Sequence, residues 1–166
     1  MASETPIRVL FVCAGNICRS PMAEAVFAHK VRIAELDQKI ITDSAGTGAW
    51  HIGDPAQPRT LEILKREKIP YNGLARQFTA HDLESFDYIV TMDEDNLAFV
   101  QRLTKQKPHH AKLSLFLDFA RQAGSVDADQ LEVPDPYYNG RYEEVFELVN
   151  PGADALLNFI RQEHDL

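Results

Sequence analysis

Cysteine is scarce in this 166-residue chain: there are two, Cys13 and Cys18, five positions apart. That count excludes a disulfide scaffold, and a reducing cytoplasm is the expected home. Positive charge is also in short supply, with 17 Lys and Arg against 25 Asp and Glu and a net charge of −8. Such a balance argues against a nucleic-acid partner and supplies no long-range attraction for an anion, so an anionic substrate would have to be captured by local donors. No apolar run is long enough to span a bilayer, and Met-Ala-Ser-Glu-Thr-Pro at the start has no basic segment of a secretory leader, so no membrane partner is expected. Repeats, low-complexity tracts and long linkers are missing too. With 45% apolar residues, the length and composition predict one ordinary soluble domain over residues 1–166.

What is present alternates between short apolar, β-branched stretches and helical patterns, the signature of a parallel sheet covered on both faces. Strands are expected near 7–12, 39–42, 88–92 and 113–115. A first helix is expected over 21–35 with Met22, Val26, Phe27 and Ile33 on its apolar face, and a second over 59–68 with Leu61, Leu64 and Ile69 inward. Asp93 and Glu94 charge the start of another helix reaching Leu103. A last helical region covers 142–162, where Pro151 is expected to break or kink it near Asn150. The predicted fold is α/β in three layers, a four-stranded parallel sheet with helices on both faces. A phosphate-binding loop follows the first strand, at the carboxyl end where open sheets of this kind place ligands.

That loop is the most informative part of the chain. Residues 9–21 put Cys13 at the end of the first strand and Arg19 six positions on, where a helix begins with Ser20 as the expected cap and Pro21 in its first turn. Gly15 and Asn16 are the residue types that most easily take the left-handed backbone a sharp turn needs, and such a curl points successive N–H groups inward as an anion nest. The inward dipoles, the helix start and Arg19 all favour the thiolate form of Cys13. Arg19 offers a rigid fork for two phosphoryl oxygens, and the Ser20 hydroxyl can donate to the sulfur. Ala14, Gly15, Asn16, Ile17, Cys18 and Ser20 would surround the phosphoryl group.

The run from Val12 to Pro21 resembles the signature of the low-molecular-weight protein tyrosine phosphatases: valine, cysteine, one residue, glycine, asparagine, isoleucine or threonine, cysteine, arginine, serine, proline. The resemblance continues through Asp43-Ser44-Ala45-Gly46-Thr47, Ala75-Arg76-Gln77, Phe86-Asp87-Tyr88-Ile89, Met92-Asp93 and Asp135-Pro136-Tyr137-Tyr138. It implies hydrolysis of phosphotyrosine in proteins, or of small aryl phosphates, through a phosphocysteine on Cys13, with Arg19 as the oxyanion clamp. On chemistry alone any of the 25 acidic residues might protonate the leaving oxygen; the resemblance selects Asp135, held between Pro134 and Pro136. It also makes Ser44 the partner of the Asn16 amide, and sets Trp50, Tyr137 and Tyr138 on the rim of a narrow cleft suited to a flat ring. Cys18 reads either as a small apolar group packed under the helix or, as the resemblance implies, as the partner of Cys13 in a reversible protective disulfide.

One departure stands out. Family members often carry a histidine shortly before alanine-arginine-glutamine, reaching toward a glutamate that Glu24 matches, whereas this chain has Tyr71-Asn72-Gly73-Leu74. The buttress between the loop and the first helix is therefore expected to be absent or replaced. The six histidines show no metal-ligand grouping, His109-His110 reads as a solvated loop, and neither metal nor cofactor is expected. Three other functions share features with the pattern. Phosphoarginine hydrolysis is disfavoured by Ile17 in place of threonine. Arsenate reduction lacks a cysteine beyond Cys18 to receive a disulfide. A non-enzymatic phosphotyrosine-binding or redox-sensing module would not need Cys13, Arg19 and Asp135 all intact.

Overall fold

Ile7–Cys13 is apolar at nearly every position because both of its faces are covered. In the computed structural model, which describes residues 5–106 and 108–166, this segment is β1. Its alternate side chains enter different cores: Val9, Phe11 and Cys13 join one apolar cluster, Leu10 and Val12 the other. Parallel pairing with β2 (Ile40–Gly46) on one side and β3 (Tyr88–Thr91) on the other makes β1 a central strand, and β4 (Lys112–Leu115) completes the order β2-β1-β3-β4.

Helices cover both faces, giving the three-layer α/β fold expected from the alternating pattern. On the Phe11 face lie α1 (Arg19–Ile33) and α2 (Pro58–Arg66), and later in the chain α3 (Asp82–Ser85) and α4 (Glu94–Leu103) take the Leu10 face. Then α5 (Asp118–Gln122), the four-residue α6 (Pro136–Asn139) and α7 (Tyr142–His164) follow, with α5 and α7 packing beside α1. The chain leaves β1 toward β2 and later returns to β3 on the opposite side. The carboxyl end of β1 is therefore a topological switch point, where the connections diverge and open a crevice.

Several expectations need correction. β2 runs on through Asp43, Ser44, Ala45 and Gly46, because Cys13 is in register with Gly46 and the polar pair Asp43 and Ser44 finds side-chain partners. Ile33 is 70% exposed in the last turn of α1, off the apolar face that Met22, Val26 and Phe27 do form. In α2, Ile63 is buried with Leu64, while Leu61 is only half-buried. Pro151 does not split the final helix: α7 is continuous through it. Proline costs about 3 kcal/mol inside a helix, but Val149, Ala153, Leu156 and Ile160 are all buried along one face, at roughly 1.5–3 kcal/mol for each larger side chain. Gly152 belongs to the same fit, since a Cβ there would come within 2.5 Å of the Phe116 ring.

No helix among the described residues is long and apolar enough to cross a membrane. The first four residues, part of the segment read above for a leader, lie outside the described ones.

Candidate active site

The loop that links β1 to α1 is held by its carbonyl groups. Cys13 O accepts from Thr47 N at 2.9 Å, Ala14 O from Gly48 N at 3.0 Å, and Ile17 O from Gln57 N at 2.8 Å. With those carbonyls engaged by the segments after β2, the amides between them are left to the crevice. Asn16 takes the left-handed conformation, φ 58°, whereas Gly15 does not need it. Gly46 allows the close approach of this loop to β2, because a Cβ there would come within 2.7 Å of Ala14 O.

Ser20 was expected to cap the helix and does something else. The cap position is Cys18, without a side-chain bond, and Arg19 and Ser20 already lie in the first turn. The Ser20 hydroxyl is instead 3.0 Å from Cys13 Sγ, and Asn16 N–H donates to the same sulfur at 3.3 Å. Both contacts are buried, so the sulfur sits at the floor of the crevice with the Asn16 amide and the Ser20 hydroxyl against it.

Arg19 is 2% exposed and its fork is aimed by three acceptors. Nη1 donates to Asp93 Oδ2 at 2.7 Å and to the Val133 carbonyl at 2.9 Å, and Nη2 reaches Asp135 Oδ2 at 3.5 Å. Burial opposes its charge, and Cys13 with the carboxylates of Asp93 and Asp135 outweighs that, holding the guanidinium above its ordinary range. Asp93 serves twice: its Oδ1 accepts from Asn96 N in a capping box that starts α4. Val133 is itself tied to the end of β3 by its N–H to Met92 O, 2.8 Å. Asp135 caps the short α6 through Tyr137 N at 3.1 Å, which leaves its Oδ2 facing Arg19.

A cavity of about 340 Å³ is bounded by Cys13, Ala14, Gly15, Ile17, Cys18 and Arg19 below and by Asp135 and three aromatic side chains above. Trp50, Tyr137 and Tyr138 are 72%, 55% and 85% exposed, so they form a rim with little packed behind it. His51 also lines this cavity and was not singled out from the sequence; a histidine in a glycine-flanked loop carries no periodic signal. It lies against Gly15 and is 3.3 Å from Asp54. Asn16 and Ser20, expected among the contact residues, stand behind the loop and do not line the cavity.

Asn16 is the hub of that rear layer. Its Nδ2 donates to Ser20 Oγ at 2.8 Å and to Ser44 Oγ at 3.0 Å, while Oδ1 accepts from Arg76 N at 3.0 Å. Arg76 is in turn clamped by Asp43 at 3.0 Å and by both oxygens of Asp82 at 3.0 Å. Behind Ser44 lies Glu24, and the expected gap beside it is filled: Tyr71 Oη donates to Glu24 Oε1 at 3.2 Å. The buttress is replaced, not absent.

Both cysteines are free thiols. Cys18 Sγ lies 3.6 Å from the Tyr142 hydroxyl, and burial pushes its thiol up to about 12, so it is protonated at neutral pH. His109 and His110 pair with the Ala111 carbonyl and with Asp87, respectively.

Known proteins are similar to this chain in sequence and in fold. A model of the low molecular weight phosphotyrosine protein phosphatase family matches residues 8–166. The low molecular weight protein-tyrosine-phosphatase YfkJ of Bacillus subtilis is 46% identical over 161 residues, covering 96% of this chain and 99% of that protein. Its crystal structure superposes with a TM-score of 0.89 over 98% of this chain and 99% of that one, at 45% identity. The low molecular weight phosphotyrosine protein phosphatase of Schizosaccharomyces pombe is 49% identical over 135 residues, 81% of this chain and 83% of that protein. A crystal structure of DARP, a Drosophila arginine phosphatase, is similar at 31% identity with a TM-score of 0.85, covering 92% of this chain and 97% of that one.

Proposed function

Because this chain belongs to the low molecular weight phosphotyrosine protein phosphatase family and is a protein-tyrosine phosphatase, we propose that it hydrolyses phosphotyrosine monoesters through a phosphocysteine on Cys13. The observation that carries this reading is the convergence of the Cys13 sulfur, the Arg19 fork and the Asp135 carboxyl on one cavity. In the first step the thiolate attacks phosphorus in line with the leaving oxygen. An S–P bond forms, the P–O bond to the tyrosyl oxygen breaks, and Asp135 gives its proton to that oxygen. Arg19 and the loop amides hold the three phosphoryl oxygens as charge shifts among them. In the second step Asp135 takes a proton from water, whose oxygen attacks phosphorus, and the S–P bond breaks. Free phosphate leaves and the thiolate returns, steadied by the Ser20 hydroxyl.

The rim supports a substrate preference. A phosphate on a tyrosyl ring can reach the floor while the ring lies among Trp50, Tyr137 and Tyr138, whereas a phosphoserine would bring its backbone against those walls. Ile17, buried beside the floor, favours an aryl ester over phosphoarginine. We further read residues 1–166 as one domain acting in a reducing cytoplasm, a reading supported by the single sheet and the two free thiols.

Turnover of p-nitrophenyl phosphate without added metal, followed by profiling on phosphotyrosine, phosphoserine and phosphoarginine peptides, tests the proposal. Release of nitrophenol, a trapped phosphocysteine at Cys13 and a preference for phosphotyrosine are expected. Binding without turnover would replace the proposal with a phosphotyrosine-binding module, and a preference for phosphoarginine would overturn the substrate assignment.

A further inference from the structure

Among the described residues six large apolar side chains are mostly exposed, and five of them gather around one cavity. Trp50, Tyr137 and Tyr138 form its rim, Ile52 follows in the same loop as Trp50, and Leu74 is bridged to that loop; Ile33 alone stands apart. A single exposed apolar residue is ordinary on a protein surface, whereas a cluster beside a site marks a surface that something covers.

The two members that do not line the cavity are held outward by the backbone. Asp54 N–H donates to His51 O at 2.8 Å, closing a tight turn from His51 to Asp54. Gly53 takes φ 86°, as the third residue of a type II turn requires. Its N–H donates to Ala75 O at 2.8 Å, and Ala75 N–H donates to Asp54 O at 2.8 Å, so two loop residues face one on the neighbouring segment in a glycine bulge. One residue further on, Pro55 is bridged antiparallel to Leu74. The turn divides its side chains: His51 lines the cavity, and Ile52 at the outer corner is 58% exposed. Leu74, set beside the turn by the bridge, is 61% exposed, and its own N–H and C=O make no hydrogen bond among the described residues.

Continuity with the cavity says what covers this shelf. Ile52 is two residues from Trp50, a span of at most about 7 Å, and an extended peptide covers that distance in two residues. A peptide whose phosphotyrosyl ring lies at Trp50 therefore passes the shelf within a few positions, and the unpaired backbone of Leu74 offers an edge to an extended chain. No free cation waits there for an acidic side chain. His51 is paired with Asp54 at 3.3 Å, and Arg76 is clamped by Asp43 and Asp82.

We propose that Ile52 and Leu74 are specificity-determining residues that receive an aliphatic side chain within three positions of the phosphotyrosine, so that phosphotyrosine in an apolar sequence is selected over phosphotyrosine flanked by acidic residues. The assignment rests on the phosphotyrosine hydrolysis proposed above.

The test is kcat/KM of the full chain on phosphotyrosine peptides that carry alanine at every flanking position but one. That position holds leucine or glutamate and is moved from three before to three after the phosphotyrosine. Leucine should raise kcat/KM about fivefold to tenfold over alanine at one or two neighbouring positions on one side of the ring, and glutamate there should lower it. In Ile52→Ser and Leu74→Ser the leucine-to-alanine ratio should shrink, and in the double variant it should fall to within about twofold. Both rates in each ratio come from one preparation, so a variant that folds poorly still reports it. A wild type indifferent to leucine at every position, or a preference that survives the double variant, would overturn the inference. A dimer in sedimentation velocity that the double variant abolishes, with no peptide preference in the wild type, would also overturn it and assign the shelf to a second copy. A wild type that turns over neither p-nitrophenyl phosphate nor any of the peptides would instead overturn the functional reading beneath.

Discussion

The floor and the rim of the catalytic cavity are built on opposite principles. Below, Cys13, Asn16, Arg19 and Ser20 are buried and each polar side chain is hydrogen-bonded. Above, Trp50, Tyr137 and Tyr138 are mostly exposed, and the two tyrosines meet each other edge to face at 5.4 Å between ring centres. The floor can hold charge in one geometry because its dipoles are set before a substrate arrives. The rim can adapt to a peptide because little packing resists a rotation of its rings. Under the proposed function, burial separates chemistry from selection, and substitutions in the two regions should have different kinetic signatures.

The largest effect is expected at the sulfur. Cys13→Ser should abolish turnover while phosphate still binds, measured by isothermal calorimetry, because the amides and Arg19 remain. Arg19→Lys comes next, with a loss of about 10²-fold or more in kcat: an ammonium replaces the fork and cannot serve Asp93, Val133 and two phosphoryl oxygens together. Asp135→Asn should slow aryl phosphate cleavage by roughly 10²-fold or more, within the range for a lost general acid. Wild-type rates for this variant across the pH profile would require another acid.

Asn16→Ala tests whether the rear layer belongs with the floor. It places alanine at φ 58°, at about 1–2 kcal/mol, and strips a partner from Ser20, Ser44 and Arg76 N. A stability loss of about 2–4 kcal/mol by denaturant titration is expected, with a fall in kcat of about tenfold. The smallest effects belong to the rim. Trp50→Ala and Tyr138→Ala should raise KM for a phosphotyrosine peptide several-fold, leave kcat on p-nitrophenyl phosphate nearly unchanged, and shift stability by less than about 0.5 kcal/mol. A large fall in kcat from either would erase the distinction between the regions.

Local chemistry was legible where the residue type nearly dictates its conformation or partner. Ile7 to Val12, short, apolar and β-branched, reads as a buried strand, and Asp93 before Glu94 reads as a helix start. Reading failed where a distant element decides. Pro151 looks like a break until α7 is laid along α1 and its neighbours, where the buried face outweighs one missing hydrogen bond. Ser20 resembles a cap until the sulfur three ångströms away claims its hydroxyl. His51 carried no signal at all, since its place in the cavity comes from how the loop after β2 folds back over Gly15.

By itself the order of residues settled the class of chemistry, because the run from Val12 to Pro21 and the later segments up to Asp135-Pro136-Tyr137-Tyr138 together resemble one phosphatase family, where a cysteine and an arginine at this spacing alone would say little. It also settled the layered fold, since strand and helix periods are local properties. Only the tertiary structure could decide what stands behind that loop. Glu24, Ser44, Tyr71, Arg76 and Asp93 are brought to it from four separate stretches of chain, Tyr71 and Arg76 sharing the segment after α2. Hydrogen bonds across such separations depend on packing distances that no local pattern encodes.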